Sequence, residues 1–180
     1  TLSAPSIGTL ATGEALPLHD VRIDDGKVSL GCGSHALRIV MADAGDTGWH
    51  LTQLQMGWPW LPDEALDKCL APMLSLQRLQ AAAIDKGCYP GQEIVARLHF
   101  RGGCKRHLCR VTLSRTMACG ETLRVGNQDV GILLNAFEAQ TFEALIVVSD
   151  EAVASASDNR IVLESESEQV LATIGERWPA

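Results

Sequence analysis

Aromatic residues are scarce in this 180-residue chain, which has one Tyr, three Phe and four Trp. A stacking platform for unpaired bases would have to be built from very few rings, so composition gives a nucleic-acid role little support. The Trp residues, three of them at positions 49, 58 and 60, read as core or interface anchors. No apolar run approaches the roughly 20 residues that cross a bilayer. Leu145-Ile146-Val147-Val148 is only long enough for a strand, and no membrane partner is expected. The six cysteines, at positions 32, 69, 88, 104, 109 and 119, contain no C-x-x-C pair, and no His lies at zinc-finger spacing. That pattern argues against a structural zinc site or a disulfide scaffold, so no metal is assigned. Reduced thiols in a cytoplasmic, monomeric protein are the expectation. No Ser/His/Asp arrangement and no glycine-rich phosphate cradle stands out. His19-Asp20 and Asp24-Asp25 flank a hairpin and read as turn residues.

Acids are missing from one stretch. The chain carries a net charge of −7, yet between Arg97 and Arg115 there are six cations and no Asp or Glu. They are Arg97, Arg101, Lys105, Arg106, Arg110 and Arg115, with His99 and His107 among them. Nine Lys and Arg then face 22 acids in the remainder. A basic segment in an acidic protein suits docking of an anion, such as a phosphate-bearing ligand or RNA. The alternative is a half-exposed strand whose basic residues alternate outward while Leu108, Val111 and Leu113 face elsewhere.

At 46% hydrophobic residues the chain can bury a core, as one large domain or two small ones. Residues 20–60 read as short strands over Lys27–Cys32, Leu37–Met41 and Trp49–Gln55, with Asp25-Gly26 as a two-residue hairpin turn. Pro62-Asp63-Glu64 opens a helix running to about Leu70, and Leu76–Ile84 reads as a second helical segment. Gly102-Gly103 marks a hinge. Six strands follow: Arg106–Leu113, Thr122–Val125, Asp129–Leu134, Ala144–Val148, Arg160–Leu163 and Val170–Ile174. Their spacing implies a small barrel or sandwich, with Ser149–Asp158 as a surface loop.

The most informative stretch is Lys86-Gly87-Cys88-Tyr89-Pro90-Gly91-Gln92-Glu93, followed by Ile94-Val95-Ala96-Arg97. Pro90 suits the first position of a helix. Glu93 then falls in the first turn, where a carboxylate complements the macrodipole, and pairs with Arg97 at i,i+4. Cys88 would lie just before that helix, beside the Lys86 ammonium, in conditions that favour an exposed thiolate. The bland alternative is a structural turn with a small, semi-buried Cys.

These residues resemble the K-G-C-Y-x-G-Q-E signature of the YgfZ family of folate-binding proteins, relatives of the glycine-cleavage T protein, an aminomethyltransferase. Val95, Ala96, Arg97, Phe100, Arg101, Gly102, Lys105, Arg106 and Leu108 match the family's V-A-R-x-x-F-R-G-x-x-K-R-x-L continuation. The likeness is carried by residues 76–108 and extends over 50–180, with Gly57-Trp58-Pro59 resembling a G-x-P element. Gln53 stands where the family has arginine, so an anion contact from that position is not carried over. Family members carry a long N-terminal region before the signature, and 87 residues precede Cys88 here. The chain is therefore expected to correspond to the C-terminal part of a longer protein, or to have a shortened front end.

The resemblance implies an α+β class: an aminomethyltransferase-like α+β region over residues 1–102 carrying the signature loop, then a small antiparallel β-barrel over 103–180. It implies a folate-binding accessory protein of iron–sulfur cluster assembly or repair and tRNA modification, with tetrahydrofolate or a derivative as cofactor. Its partners would be folate, iron–sulfur assembly proteins or tRNA. Cys88 would be the reactive thiol and Lys86 its cation. Tyr89, Gln92, Glu93, Arg97, Arg101, Lys105 and Arg106 would hold the loop and the anionic ligand. The alternative is an aminomethyltransferase-like enzyme transferring a one-carbon unit with tetrahydrofolate; whether the chain is itself catalytic stays open. Cys104, at the hinge, is a candidate to resolve an oxidised Cys88.

Overall fold

The structure is a computed structural model that describes residues 6–10, 15–25, 27–34, 36–40, 48–165 and 168–179. It is mostly β and divides into two compact units, Thr1–Gln53 and Leu54–Ala180. The boundary expected after residue 102 falls inside the second unit, where a helix hands over to the barrel.

In the first unit, β1 (Ser6–Leu10), β2 (Val21–Asp24), β3 (Lys27–Gly31) and β4 (Ala36–Val40) form an antiparallel sheet in the order β1-β4-β3-β2. Asp24 pairs with Lys27 across the two-residue turn that begins at Asp25, whose φ of 46° is the left-handed value that the turn demands. Trp49–Gln55 is not a strand. Gly48–Gln55 forms helix α1, because Leu51 and Leu54, three residues apart, share a helical stripe, and Leu54 is fully buried.

The second unit is organised by a closed six-stranded antiparallel barrel, β10-β5-β8-β7-β6-β9. Its strands are β5 (Arg106–Leu113), β6 (Thr122–Val125), β7 (Gln128–Glu138), β8 (Phe142–Ser149), β9 (Arg160–Ser165) and β10 (Glu168–Arg177). Cys109, Val111, Ala144, Ile146, Val148, Leu163, Val170 and Ala172 fill the interior. A second core lies on the outside of β5, β7 and β8, where Leu108, Ile132, Leu134, Leu145 and Val147 pack with Leu54, Ala65, Leu74 and Trp178. Both faces are thus covered, which is why Val130–Leu134 and Ala144–Val148 are continuous apolar runs instead of alternating ones. No helix among the described residues is long and apolar enough to cross a membrane.

Two expected helices are absent. Pro62–Leu70 keeps only one 3-10 turn, Asp63–Ala65, because Leu66 leaves the helical region and Asp67 has φ 63°. Leu66 is itself exposed, so continuing the helix would gain no burial at that position. The Leu76–Ile84 segment is a series of turns after a 3-10 helix at Ala71–Leu74. Its Ala and Leu favour a helix, but tertiary ties override propensity. Buried Ser75 is left-handed and donates its hydroxyl to the Pro179 carbonyl, and Arg78 Nη2 donates to the Gly57 carbonyl at 2.7 Å. The Ser149–Asp158 loop contains a short helix instead, α3 (Asp150–Ala154), capped by Ser149 Oγ accepting from Ala152 N at 3.3 Å.

Candidate functional site

The signature helix, α2, runs from Gln92 to Arg101 and begins two residues later than Pro90 suggested. Pro90 and Gly91 instead form the corners of a turn closed by Gln92 N donating to Tyr89 O at 3.1 Å. Gly91 has φ 84° and ψ −4°, the values of the third residue of a type II turn, where Pro precedes Gly by preference. The helix ends at Gly102 and at left-handed Gly103, whose N–H donates to Leu98 O at 2.8 Å. Val95 is the buried contact of α2, while Glu93, Ile94, Arg97, Phe100 and Arg101 face solvent.

Cys88 is exposed, three residues ahead of the N-cap Gly91. Gln92 clamps the loop that carries it. The Gln92 Oε1 accepts from Tyr89 N at 3.3 Å, and its Nε2 donates to the Lys86 carbonyl at 3.4 Å. A single carboxamide thus fixes both sides of the thiol. The Lys86 ammonium lies over the Tyr89 ring, 5.7 Å from its centroid, a cation–π contact of about 0.5–1 kcal/mol at an exposed site. Tyr89 Oη is buried without a hydrogen bond.

The basic residues are not equivalent. Arg97, Arg101 and Lys105 are exposed, and among the described residues they form no ion pair; neither do Glu93 and Arg97 with one another. Half-buried Arg106 is committed to the barrel, donating from Nη2 to Asp129 O at 3.2 Å. Arg115 is paired with Glu168. The structure therefore brings together Lys86, Tyr89 and Gln92 around the Cys88 loop and leaves Arg97, Arg101 and Lys105 as unengaged cations on and just after α2. Sequence reasoning missed a cluster nearby: His107, Asp150 and Arg177. Antiparallel pairing of Arg106 with Ser149 across β5 and β8 joins these positions, and no local spacing could have announced it.

No family model matches the chain. It is 32% identical over 106 residues to the tRNA-modifying protein YgfZ of Klebsiella pneumoniae, covering 56% of this chain and 32% of that protein. It is 35% identical over 79 residues to the YgfZ protein of Escherichia coli O157:H7, covering 43% and 24%. A chloroplastic protein of Arabidopsis thaliana, described as a candidate transferase, is 34% identical over 89 residues, covering 49% and 20%. The matches are partial likenesses to YgfZ proteins and to this chloroplastic protein. The chain spans between a fifth and a third of the length of these curated relatives.

Proposed function

We propose that this chain is a YgfZ-like, folate-associated accessory protein of tRNA modification that acts through Cys88 in the assembly or repair of iron–sulfur clusters. The observation that carries the reading is the presentation of Cys88: an exposed thiol on a loop that Gln92 holds from both sides, one turn ahead of a helix start. Such a thiol is accessible to a partner yet fixed in direction, which is what sulfur or cluster chemistry requires of a nucleophile or ligand.

Arg97, Arg101 and Lys105 suit the glutamate tail of a folate, since three cations without acid partners attract carboxylates within a Debye length of about 8 Å. The pterin ring fits less well. Recognising it takes shaped apolar walls and convergent polar groups, and the cavity beside α2, about 280 Å³, is smaller than pockets for drug-sized ligands, roughly 300–1,000 Å³. The residues described here thus offer a tail-docking surface, and no chemical step is assigned to the ring.

Residue-resolved alkylation with iodoacetamide tests the thiol, and calorimetry with tetrahydrofolate and its polyglutamate tests the docking surface. Cys88 should react fastest of the six thiols. Folate binding should be weak, strongly salt-dependent, and lost in the Arg101→Gln/Lys105→Gln double variant. Cys88 reacting no faster than equally exposed Cys119, together with salt-insensitive folate binding, would overturn the proposal.

A further inference from the structure

A second thiol sits in a more elaborate setting than Cys88. Cys104 and His107 both line the cavity of about 280 Å³ beside α2, together with apolar Pro72, Val95 and Leu98 and with Gln77 and His99. Both occupy positions that the family signature leaves free, so the pair belongs to this chain and is not carried over from the resemblance. The His107 ring is 12% exposed, and its Nδ1 lies 2.7 Å from Asp150 Oδ1. Arg177 Nη2, which can only donate, also lies 3.0 Å from Nδ1, but its shorter contact is to Asp150 Oδ1, so the carboxylate takes both donors, Nδ1 carries the proton and Nε2 is left as the basic nitrogen. Asp150 is held in turn: Arg177 Nη2 donates to the same oxygen at 2.5 Å, and Asp150 N donates to the Lys105 carbonyl at 2.9 Å. Among the described residues no group of three or more His, Cys, Asp or Glu is arranged to hold a metal ion.

We propose that Cys104, with His107 as its base and Asp150 as the residue that positions the imidazole, is a thiol–disulfide exchange site that admits small disulfides to this cavity. The cavity's size restricts entry, and its apolar lining suits an alkyl arm. Gly103, also on the cavity lining, donates its N–H to Leu98 O at 2.8 Å and is not free to stabilise an oxyanion. Exchange at sulfur builds no oxyanion and needs only a thiol, a base and access.

At rest the Cys104 Sγ donates to the Arg106 carbonyl at 2.9 Å. Burial raises its pKa, with Asp150 adding to the effect and backbone contact at Arg106 partly offsetting it. The thiol therefore stays protonated until a base takes the proton, and the thiolate then formed is the stronger nucleophile for its higher basicity. In the step, the Sγ proton passes to His107 Nε2, and Sγ attacks one sulfur of the external disulfide. A new S–S bond forms as the old one breaks. The leaving thiolate takes the proton from Nε2 and departs as a thiol. Cys104 is oxidised to a mixed disulfide, one half of the reagent is reduced, and excess thiol reverses the reaction.

The test is incubation of the whole chain with 2-hydroxyethyl disulfide, following each cysteine by peptide mass spectrometry. Cys104 should form the mixed disulfide at a rate that saturates with reagent. His107→Gln should slow it by about 100-fold, as expected for loss of a general base, and leave the Cys88 rate unchanged. The charged and titratable groups near the pair are Asp150, Arg177 and His99. Asp150→Asn should slow Cys104 by a smaller factor and move the ascending limb of its rate–pH profile to lower pH, a change that a purely structural role would not produce. Cys104 remaining unmodified while Cys88 reacts to completion, or an unchanged Cys104 rate in His107→Gln, would overturn the proposal. Should His107→Gln unfold the barrel, the more exposed Asp150 carries the test, and an unchanged profile in Asp150→Asn would overturn it.

Discussion

Substituting alanine at two glycines, one in each half of the signature region's support, separates a backbone cost from a packing cost. Gly57 and Gly91 both have positive φ, 62° and 84°. An L-residue in that region costs about 1–2 kcal/mol. Alanine returns about 0.4–1 kcal/mol by restricting the unfolded chain. Gly91→Ala should therefore destabilise by about 0.5–1 kcal/mol and no more, because a Cβ there meets nothing within 4 Å. At Gly57 the same Cβ would lie 2.6 Å from Trp178 Cη2 and Cζ2. The ring has no easy retreat: Trp178 is buried in the outer core, its backbone N–H donates to Leu108 O at 3.0 Å, and the Arg78 guanidinium covers the ring at 5.0 Å. Overpacking of that kind costs about 1–3 kcal/mol in addition. Gly57→Ala should thus lose about 1.5–4 kcal/mol in total.

Urea unfolding followed by Trp fluorescence reads the difference, since Trp58, Trp60 and Trp178 all belong to the Leu54–Ala180 unit. The midpoints should separate with m unchanged. In a Trp178→Ala background, Gly57→Ala should fall to the cost of Gly91→Ala, a coupling that a double-mutant cycle isolates. Equal costs for the two glycines, or a Gly57→Ala cost that survives removal of the indole, would refute the reasoning.

Gln92→Ala should leave overall stability within about 1 kcal/mol, since it removes two long hydrogen bonds near the surface. It should nonetheless raise amide hydrogen exchange across Lys86–Tyr89 while exchange in the barrel strands stays unchanged. Burial pushes the Cys109 thiol up from 9.0 to about 11, and its residue is fully buried. Above pH 9 the unfolded chain loses this proton and the folded chain does not, so stability should fall by about 3 kcal/mol between pH 9 and pH 11 and then level off. The wild-type minus Cys109→Ala difference in urea-unfolding free energy against pH checks this, and a difference flat with pH would refute it.

The barrel was legible because its strands announce themselves locally. Arg106–Leu113 and Thr122–Val125 run as expected, and the other four differ only by extension at their ends. Asp24 facing Lys27 across the hairpin is equally local. What failed depended on distant partners. Leu76–Ile84 has helical composition, but Ser75 is tied to Pro179 and Arg78 to Gly57, more than a hundred and about twenty residues away in sequence. The φ of Pro90 suits the first turn of a helix, yet it suits equally the second residue of a type II turn. Gly91 decided between them. At the site, the loop residues Lys86, Tyr89 and Gln92 were legible from the motif, while the separation of free Arg101 and Lys105 from committed Arg106 was not. Asp129, which decides the fate of Arg106, lies across the barrel.

The two thiols also show why exposure and environment must be weighed separately. Cys88 is open to any partner, and its surroundings do little beyond holding the loop still. Cys104 is half-buried, with its hydrogen on the Arg106 carbonyl and a carboxylate-anchored imidazole in the same cavity. A large macromolecular partner can reach the first and not the second, whereas a small disulfide reaches both. On the two proposals above, the chain would present thiols to reactants of two sizes. The carbonyl of Lys105, at the end of the basic segment, is bonded to the N–H of Asp150, the residue that positions His107.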